Sequence, residues 1–224
     1  MATNIKETIK KEWVVLLLVL LPFAASAILW SQLPERVPIH FNARGEANGW
    51  GPKWVNAFLL PLIGVGTYLG MLILPVLDPK KKIAIHQKAI SAIRIALSLF
   101  LVGMYAVIMA KSLGVKLDMQ IWLQAGTGML FMVLGNYMSA VKHNYFIGIR
   151  TPWTLESAEV WKKTHRLGGK VFVVCGLLLL LFAFVPGLNE PHVLTALIVV
   201  LVVIPVAYSW FAYRALKSFD GKIE

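Results

Sequence analysis

Six long apolar stretches constrain the fold of this chain more than any other feature. About 20 residues of helix cross the hydrocarbon of a bilayer, and unpaired backbone groups are too costly in lipid to be tolerated there. We therefore predict an all-α fold, a polytopic membrane helix bundle with six transmembrane helices in one membrane domain over 1–224. Only 15% of the residues are charged, whereas soluble domains carry roughly 25%. The predicted spans are about 13–30, 55–77, 88–110, 119–139, 171–186 and 193–214.

The positions of the basic residues predict the orientation. The net charge is +11, and Lys and Arg gather in short groups at the ends of the apolar stretches. If alternate loops face opposite sides, the side with both termini holds 17 of them and the other side 5. Because Lys and Arg are enriched in cytoplasmic loops, both termini are predicted to be cytoplasmic. On this interpretation the charge sets topology, and no direct contact with nucleic acid is expected.

The first apolar stretch also has a rival interpretation. Lys10 and Lys11, the apolar run and Ala25-Ser26-Ala27 together resemble a cleavable signal peptide. We favour a membrane anchor because the run continues to Trp30. An amino terminus at Ile28 in the mature protein would contradict six spans.

The outer loop 31–54 is predicted to be compact and structured. Apolar residues alternate with other types over 37–41, which is the period of a short strand with one apolar face. His40 and Asn42 would share the opposite face, and Gly45 allows a turn. His40 is either a ligand contact or a hydrogen-bonded structural residue. No second His or Cys lies nearby in sequence, so no metal site is predicted.

The cytoplasmic loop 141–170 is predicted to contain an amphipathic helix. Thr154 is a suitable N-cap, acidic residues follow it, basic residues come near the other end, and Gly168 ends the helix. Such a helix is expected to lie along the inner membrane surface with Trp161 among the headgroups.

Polar and small residues inside the spans carry further predictions. Asn136 is costly in lipid unless it has a partner in the cytoplasmic loop or on a neighbouring helix. Arg94, near the end of the third span, is interpreted as extending its side chain to the interface. Glycines in two spans would let helices approach closely, namely Gly64, Gly66, Gly70, Gly126 and Gly128.

The motif residues resemble a known family. The chain is similar to the signature of the SdpI family of bacterial membrane proteins at Asn136, Asn144, the run 148–154, Trp161, His165 and Arg166. The outer loop resembles the domain of unknown function found at the amino end of that family, at Leu33-Pro34, Pro38, His40-Phe41-Asn42 and Gly45.

The resemblance implies a multi-pass protein of the bacterial plasma membrane. No cofactor is predicted. The family's namesake protects a cell from a secreted, membrane-active peptide toxin and draws a small transcriptional repressor to the membrane. By analogy, the outer loop would meet the toxin and the cytoplasmic segment the repressor. The residues expected to bind a ligand or partner are His40, Asn42, Gly45, Asn136, Asn144, Gly148, Arg150, Thr151, Pro152, Thr154, Trp161, His165 and Arg166.

The sequence leaves three alternatives open. A transporter or flippase for a small amphipathic molecule would place Asn136, Arg94 and Arg150 around a cavity near the inner leaflet. A membrane enzyme would use His143 and His165 with a nearby glutamate, but no recognised catalytic or metal motif is present and no catalytic residue is predicted. The motif residues themselves either hydrogen-bond a re-entrant turn or contact a partner.

Overall fold

The protein is mostly helical, with one two-stranded sheet. The computed structural model describes residues 5–78 and 87–220. Lys80, Lys81 and Lys82, which contribute to the predicted cytoplasmic charge, lie outside the described residues. In chain order the elements are α1 (Ile5–Lys11), α2 (Trp13–Leu29), β1 (Arg36–Phe41), β2 (Ala47–Pro52), a π-helical turn (Val55–Leu59), α3 (Leu60–Leu77), α4 (Gln87–Ser112), α5 (Met119–Met138), α6 (Pro152–Glu156), α7 (Ala158–Phe182) and α8 (Pro191–Asp220).

The number of spans differs from the predicted six. Among the described residues, four helices are long and apolar enough to cross a membrane, and α1 with α2, which meet at a 76° bend, make up to five. Helix α5 is not among them, because Gln120, Gln124 and Asn136 dilute its apolar character. Six spans are therefore not confirmed, although each predicted stretch is helical over most of its length. The four candidate spans are Val55–Leu77, Lys88–Ser112, Ala158–Phe182 and Pro191–Ser218.

Helices α5 and α7 form the closest helix pair, and glycines make the approach possible. A Cβ built on Gly135 would lie 2.6 Å from the Gly169 carbonyl oxygen, and one on Gly169 would lie 2.7 Å from the Gly135 oxygen. Gly128 and Gly176 make the same reciprocal contact one heptad away, at 2.6 Å in both directions. Small residues at these points let the two backbones meet directly, as in other membrane helix pairs.

Most of the span glycines that were predicted to allow close helix contacts do not lie at such a contact. Built Cβ atoms on Gly64, Gly66 and Gly70 meet no described atom within 4 Å, so these three glycines do not mark a close helix contact in the described part of the chain. A Cβ on Gly126 would meet only the Phe100 ring, at an ordinary 3.4 Å. Of the predicted glycines, Gly128 alone has a built Cβ that would collide with a facing described helix backbone.

The outer loop folds into a β-hairpin, and its end of the bundle is called here the hairpin end. β1 and β2 are antiparallel, with irregular register around His40. Val37 is fully buried and Ile39 is 45% exposed, so the predicted single apolar face is wrong. The bulge adds a residue to β1, and this shifts the alternation of faces.

The opposite end of the bundle, called the motif end, carries residues 139–157. The predicted amphipathic helix from Thr154 to Gly168 does not exist as a separate element. Thr151 caps the short helix α6, Ser157 caps α7, and α7 continues through Gly168 to Phe182. Gly168 fails to end the helix because it lies in the packed interface, where a Cβ would collide with the Ile149 side chain.

Helices α1 to α4 with the hairpin form one half of the bundle, and α5 to α8 form the other. The halves meet at the motif end in an apolar cluster of Met71, Ile90 and Ile93 with Val141 and Trp161. Trp161 is only 2% exposed. The prediction that it lies among lipid headgroups is therefore wrong, because its ring fills the junction between the halves.

Candidate functional site

The side chain of Asn42 closes the hairpin turn. Its Oδ1 accepts hydrogen bonds from the backbone N–H groups of Arg44, at 2.9 Å, and Glu46, at 3.0 Å. Its Nδ2 donates to the Glu46 carboxylate at 2.8 Å. Asn42 thus lies beyond the end of the strand. The prediction that it shares one strand face with His40 is wrong.

His40 is exposed at the bulge of β1. Its Nδ1 lies 2.6 Å from Oδ1 of Asn48, in a hydrogen bond across the hairpin. A Cβ built on Gly49 would lie 2.7 Å from the His40 Cβ, so the facing glycine leaves space for the imidazole. Among the described residues, no group of three or more His, Cys, Asp or Glu is placed to hold a metal ion.

The hairpin tip contacts the start of α5. Gly45 adopts φ of +74°, and a Cβ there would lie 2.6 Å from the Gln120 backbone nitrogen. Only glycine combines this conformation with so close an approach. Gln120 in turn donates a side-chain hydrogen bond to the Asn189 carbonyl before α8. The tip therefore joins the hairpin, which is anchored in the first half of the bundle, to the second half.

Buried polar residues attach the rest of the hairpin end to α4. Asn56 donates to the Pro38 carbonyl at 2.9 Å and to the Ser112 hydroxyl at 3.1 Å. Ser26 donates to the Ala57 carbonyl at 2.7 Å and lies 2.8 Å from the Tyr105 hydroxyl. No local sequence pattern predicts these contacts, since the partners lie up to 79 positions apart.

At the motif end, Asn144 organises the loop that follows α5. Its Oδ1 accepts from the N–H groups of Phe146, at 2.7 Å, and Ile147, at 2.8 Å. Its Nδ2 donates to the carbonyls of Lys142, at 2.7 Å, and Ile147, at 3.0 Å. All four bonds hold local backbone, and the side chain is buried. Asn144 thus acts on the conformation of the loop.

Gly148, Trp161 and His165 form the centre of the motif end. The His165 Nε2 accepts from the Ile149 N–H at 3.0 Å, so Nδ1 carries the proton and donates to the Trp161 carbonyl at 2.9 Å. The two rings stack with centroids 4.0 Å apart, and the indole N–H donates to the Val141 carbonyl at 2.9 Å. Gly148 has φ of +122°, and a Cβ would collide with His165. The imidazole is neutral and bridges loop to helix.

Thr151 and Thr154 fix the start of α6. Each backbone N–H donates to the other's hydroxyl, at 2.9 and 3.2 Å. Thr154 also donates to the Ile149 carbonyl at 2.8 Å, and the Thr151 hydroxyl lies 3.0 Å from that of Ser209 on α8. Thr154 is therefore a residue of the first turn and not the predicted N-cap.

Besides His40 and Gly148, the exposed members of the predicted set are Asn136, Arg150, Pro152 and Arg166. Arg150 donates to the Tyr145 carbonyl at 2.8 Å and keeps its guanidinium at the surface. Asn136 has no hydrogen-bond partner among the described residues and lies on the exposed face of α5. The expected partner for Asn136 is thus not found within the described chain.

Arg94 is buried and does not extend to the interface as predicted. Its guanidinium forms an ion pair with Glu12 at the bend between α1 and α2, with Nε donating to Oε2 at 3.0 Å. The Tyr68 hydroxyl donates to the same carboxylate at 3.3 Å. The pair joins residues 82 positions apart. Glu12 was missed because no local pattern marks its partner.

The three polar residues that the transporter alternative places around a cavity lie in three different environments. Arg94 is paired, Arg150 is at the surface and Asn136 faces outward. None of the three lines the apolar groove that lies between α4 and α5. For the enzyme alternative, His143 lies 2.9 Å from the Leu155 carbonyl, and both nitrogens of His165 have backbone partners.

Comparisons with known proteins agree with the two signature segments. Residues 140–209 match the model of the SdpI/YfhL protein family, and residues 17–65 match the domain of unknown function DUF1648. The chain is similar to the immunity protein SdpI of Bacillus subtilis (strain 168), with 29% identity over 209 residues, covering 93% of this chain and 99% of that protein. No solved structure matches this chain. The chain is therefore similar to the SdpI family at both ends, through the SdpI/YfhL match in its second half and the DUF1648 match in its first.

Proposed function

We propose that this protein gives immunity to a secreted, membrane-active peptide toxin and reports its presence to the cytoplasm. In this proposal the toxin contacts the hairpin end around His40, and a small repressor protein contacts the motif end around Arg150 and Arg166. The name of the Bacillus subtilis relative, an immunity protein, supports the first role.

The observation that carries the proposal is that one helix touches both signature segments. Helix α5 begins under the hairpin tip, where Gly45 meets Gln120. It ends in the motif, where Met138 lies beside Gly168. The reciprocal glycine contacts hold α5 against α7, so the two helices should move as one body. A displacement at Gln120 would therefore reach the motif end.

A toxin shifts such an equilibrium only if it binds the two arrangements with different affinity. A hundredfold difference, about 2.7 kcal/mol, is enough to turn a 1:9 population of the two arrangements into about 10:1. Gly45 meets α5 at one residue, Gln120, so the binding of one peptide is sufficient to displace this contact.

The immunity role is tested by survival of a sensitive bacterium challenged with the toxin peptide encoded nearest the gene. We expect protection by the wild type and loss of protection with His40→Ala. Within the described chain, the His40 side chain makes one hydrogen bond, to Asn48 on the exposed hairpin. The matched control is His192→Ala, another exposed histidine at the hairpin end but outside the hairpin. Equal protection by both variants at equal membrane levels would contradict the proposed toxin contact.

The coupling role is tested with two glycines of positive φ. Gly45→Ala and Gly114→Ala carry similar backbone strain, at φ of +74° and +85°, but only the first introduces a collision with α5. We expect Gly45→Ala to abolish toxin-dependent recruitment of the repressor to membranes while Gly114→Ala retains it. Recruitment that survives in both variants would show that the tip contact does not transmit the signal.

The repressor contact is tested at the exposed cations of the motif end. Arg150→Gln and Arg166→Gln should reduce the membrane-bound fraction of the repressor without lowering the survival of cells challenged with the toxin. The control is Lys163→Gln, an exposed cation on α7 that pairs with Glu159. If Lys163→Gln has the same effect as the arginine variants, general surface charge and not the motif would be responsible.

A further inference from the structure

An open groove of about 790 Å³ lies between α4 and α5. Its α4 wall runs from Ala96 to Ala110, which is about 21 Å at 1.5 Å per residue. The α5 wall runs from Trp122 to Val133. The groove is thus longer than one leaflet of a bilayer whose hydrocarbon is about 30 Å thick.

The lining suits an alkyl chain. Every lining residue is apolar, and among them only the Trp122 indole can donate a side-chain hydrogen bond. Gly103 lines the middle of the groove, and a Cβ there would meet no described atom within 4 Å. An empty groove of this size would forfeit the van der Waals contacts of its whole lining.

One mouth of the groove is cationic. The Lys111 ammonium donates to the carbonyl of Leu117 at 2.9 Å, and Leu117 and the adjacent Ala110 both line the groove. Lys116 is exposed beside it. Neither lysine has an ion pair with another described residue. The nearest acid in sequence, Asp118, accepts the first N–H bonds of α5 and so acts as its N-cap.

Trp122 marks the same mouth. It is 51% exposed and lies in the first turn of α5. Tryptophan prefers the level of lipid headgroups, where its ring is apolar and its N–H finds an acceptor. The mouth therefore combines two cations and an interfacial indole above an apolar channel.

We propose that this groove binds one acyl chain of an anionic phospholipid, whose phosphate is held by Lys111 and Lys116 at the hairpin end. Charge complementarity selects this occupant. A second copy of the chain in the same membrane orientation would bring the same lysines together, and like charges repel. An uncharged apolar helix would leave both cations without a counter-charge. The proposal does not depend on the immunity function.

The experiment measures lipid bound to protein reconstituted with phosphatidylglycerol and phosphatidylcholine, extracted in mild detergent and weighed by native mass spectrometry. Wild type should retain one phosphatidylglycerol. Gly103→Phe fills the groove and should retain none. The matched control is Gly66→Phe, at another exposed glycine with open space around it but outside the groove, and it should behave as wild type.

The headgroup contact is tested separately. Lys111→Gln should reduce the preference for phosphatidylglycerol over phosphatidylcholine about fivefold, the effect typical of one cation at an anionic surface. Arg36→Gln, a hairpin cation that does not line the groove, should leave the preference unchanged.

Three results would overturn the proposal. The first is equal phosphatidylglycerol retention by wild type and Gly103→Phe when both are monodisperse. The second is an unchanged lipid preference in Lys111→Gln. The third is a groove-dependent dimer without lipid, which would make a second copy the occupant.

Discussion

The glycine contacts between α5 and α7 predict that one added methyl group destabilises the protein. In Gly135→Ala the new Cβ would lie 2.6 Å from the Gly169 carbonyl oxygen, about 0.8 Å inside an ordinary contact of about 3.4 Å. The obstacle is backbone on the opposing helix, so it yields only if the helices separate. Such overpacking costs about 1–3 kcal/mol, and alanine's better helix propensity returns up to about 1 kcal/mol.

The expected net loss is about 1–2 kcal/mol, which lowers Tm by about 2–8 °C for a chain of this size. Thermal unfolding in one detergent, followed by tryptophan fluorescence, measures it. Gly66→Ala is the matched control. Its Cβ meets no described atom within 4 Å, so it should raise Tm or leave it unchanged.

A double variant sharpens the test. Once Gly135→Ala has separated the helices, adding Gly169→Ala at the same contact should cost less than it does alone. The reasoning is refuted if Gly135→Ala melts at or above the wild-type temperature, or if the two substitutions add fully.

Three further predictions concern buried polar groups and a strained turn, each measured by thermal unfolding in detergent. Arg94→Met should destabilise by about 3–5 kcal/mol because it leaves the Glu12 carboxylate buried and unpaired, and Glu12→Gln in the same chain should restore much of the loss; a double variant no better than the single one would contradict the ion pair. Gly148→Ala should cost at least about 2 kcal/mol through strain and collision with His165, and an unchanged Tm would contradict the positive φ of this turn. Asn144→Ala should lose about 3 kcal/mol and expose the loop to protease, whereas a loop as resistant as wild type would show that the four bonds are dispensable.

The residue types of the motif predicted a structured turn, but not the geometry of its hydrogen bonds. Asparagine, threonine and glycine before a helix indicated a structured turn, and the structure places Asn144, Thr151 and Gly148 in one. The predicted end of the cytoplasmic helix at Gly168 was wrong, because a glycine in a sequence indicates either a helix end or a close helix contact. Which of the two applies to Gly168 depends on what lies opposite it.

The sequence by itself determined the helical character of the chain, the apolar stretches and the existence of a structured outer loop. These follow from local patterns, since length of apolar run and alternation of residue types act over a few turns. Tertiary structure alone decided the pairing of Glu12 with Arg94, the contact of Gly45 with α5 and the groove between the halves. The first two contacts join segments distant in sequence, and the groove depends on how α4 and α5 pack against each other. The free energy of such contacts depends on distances that no local pattern encodes.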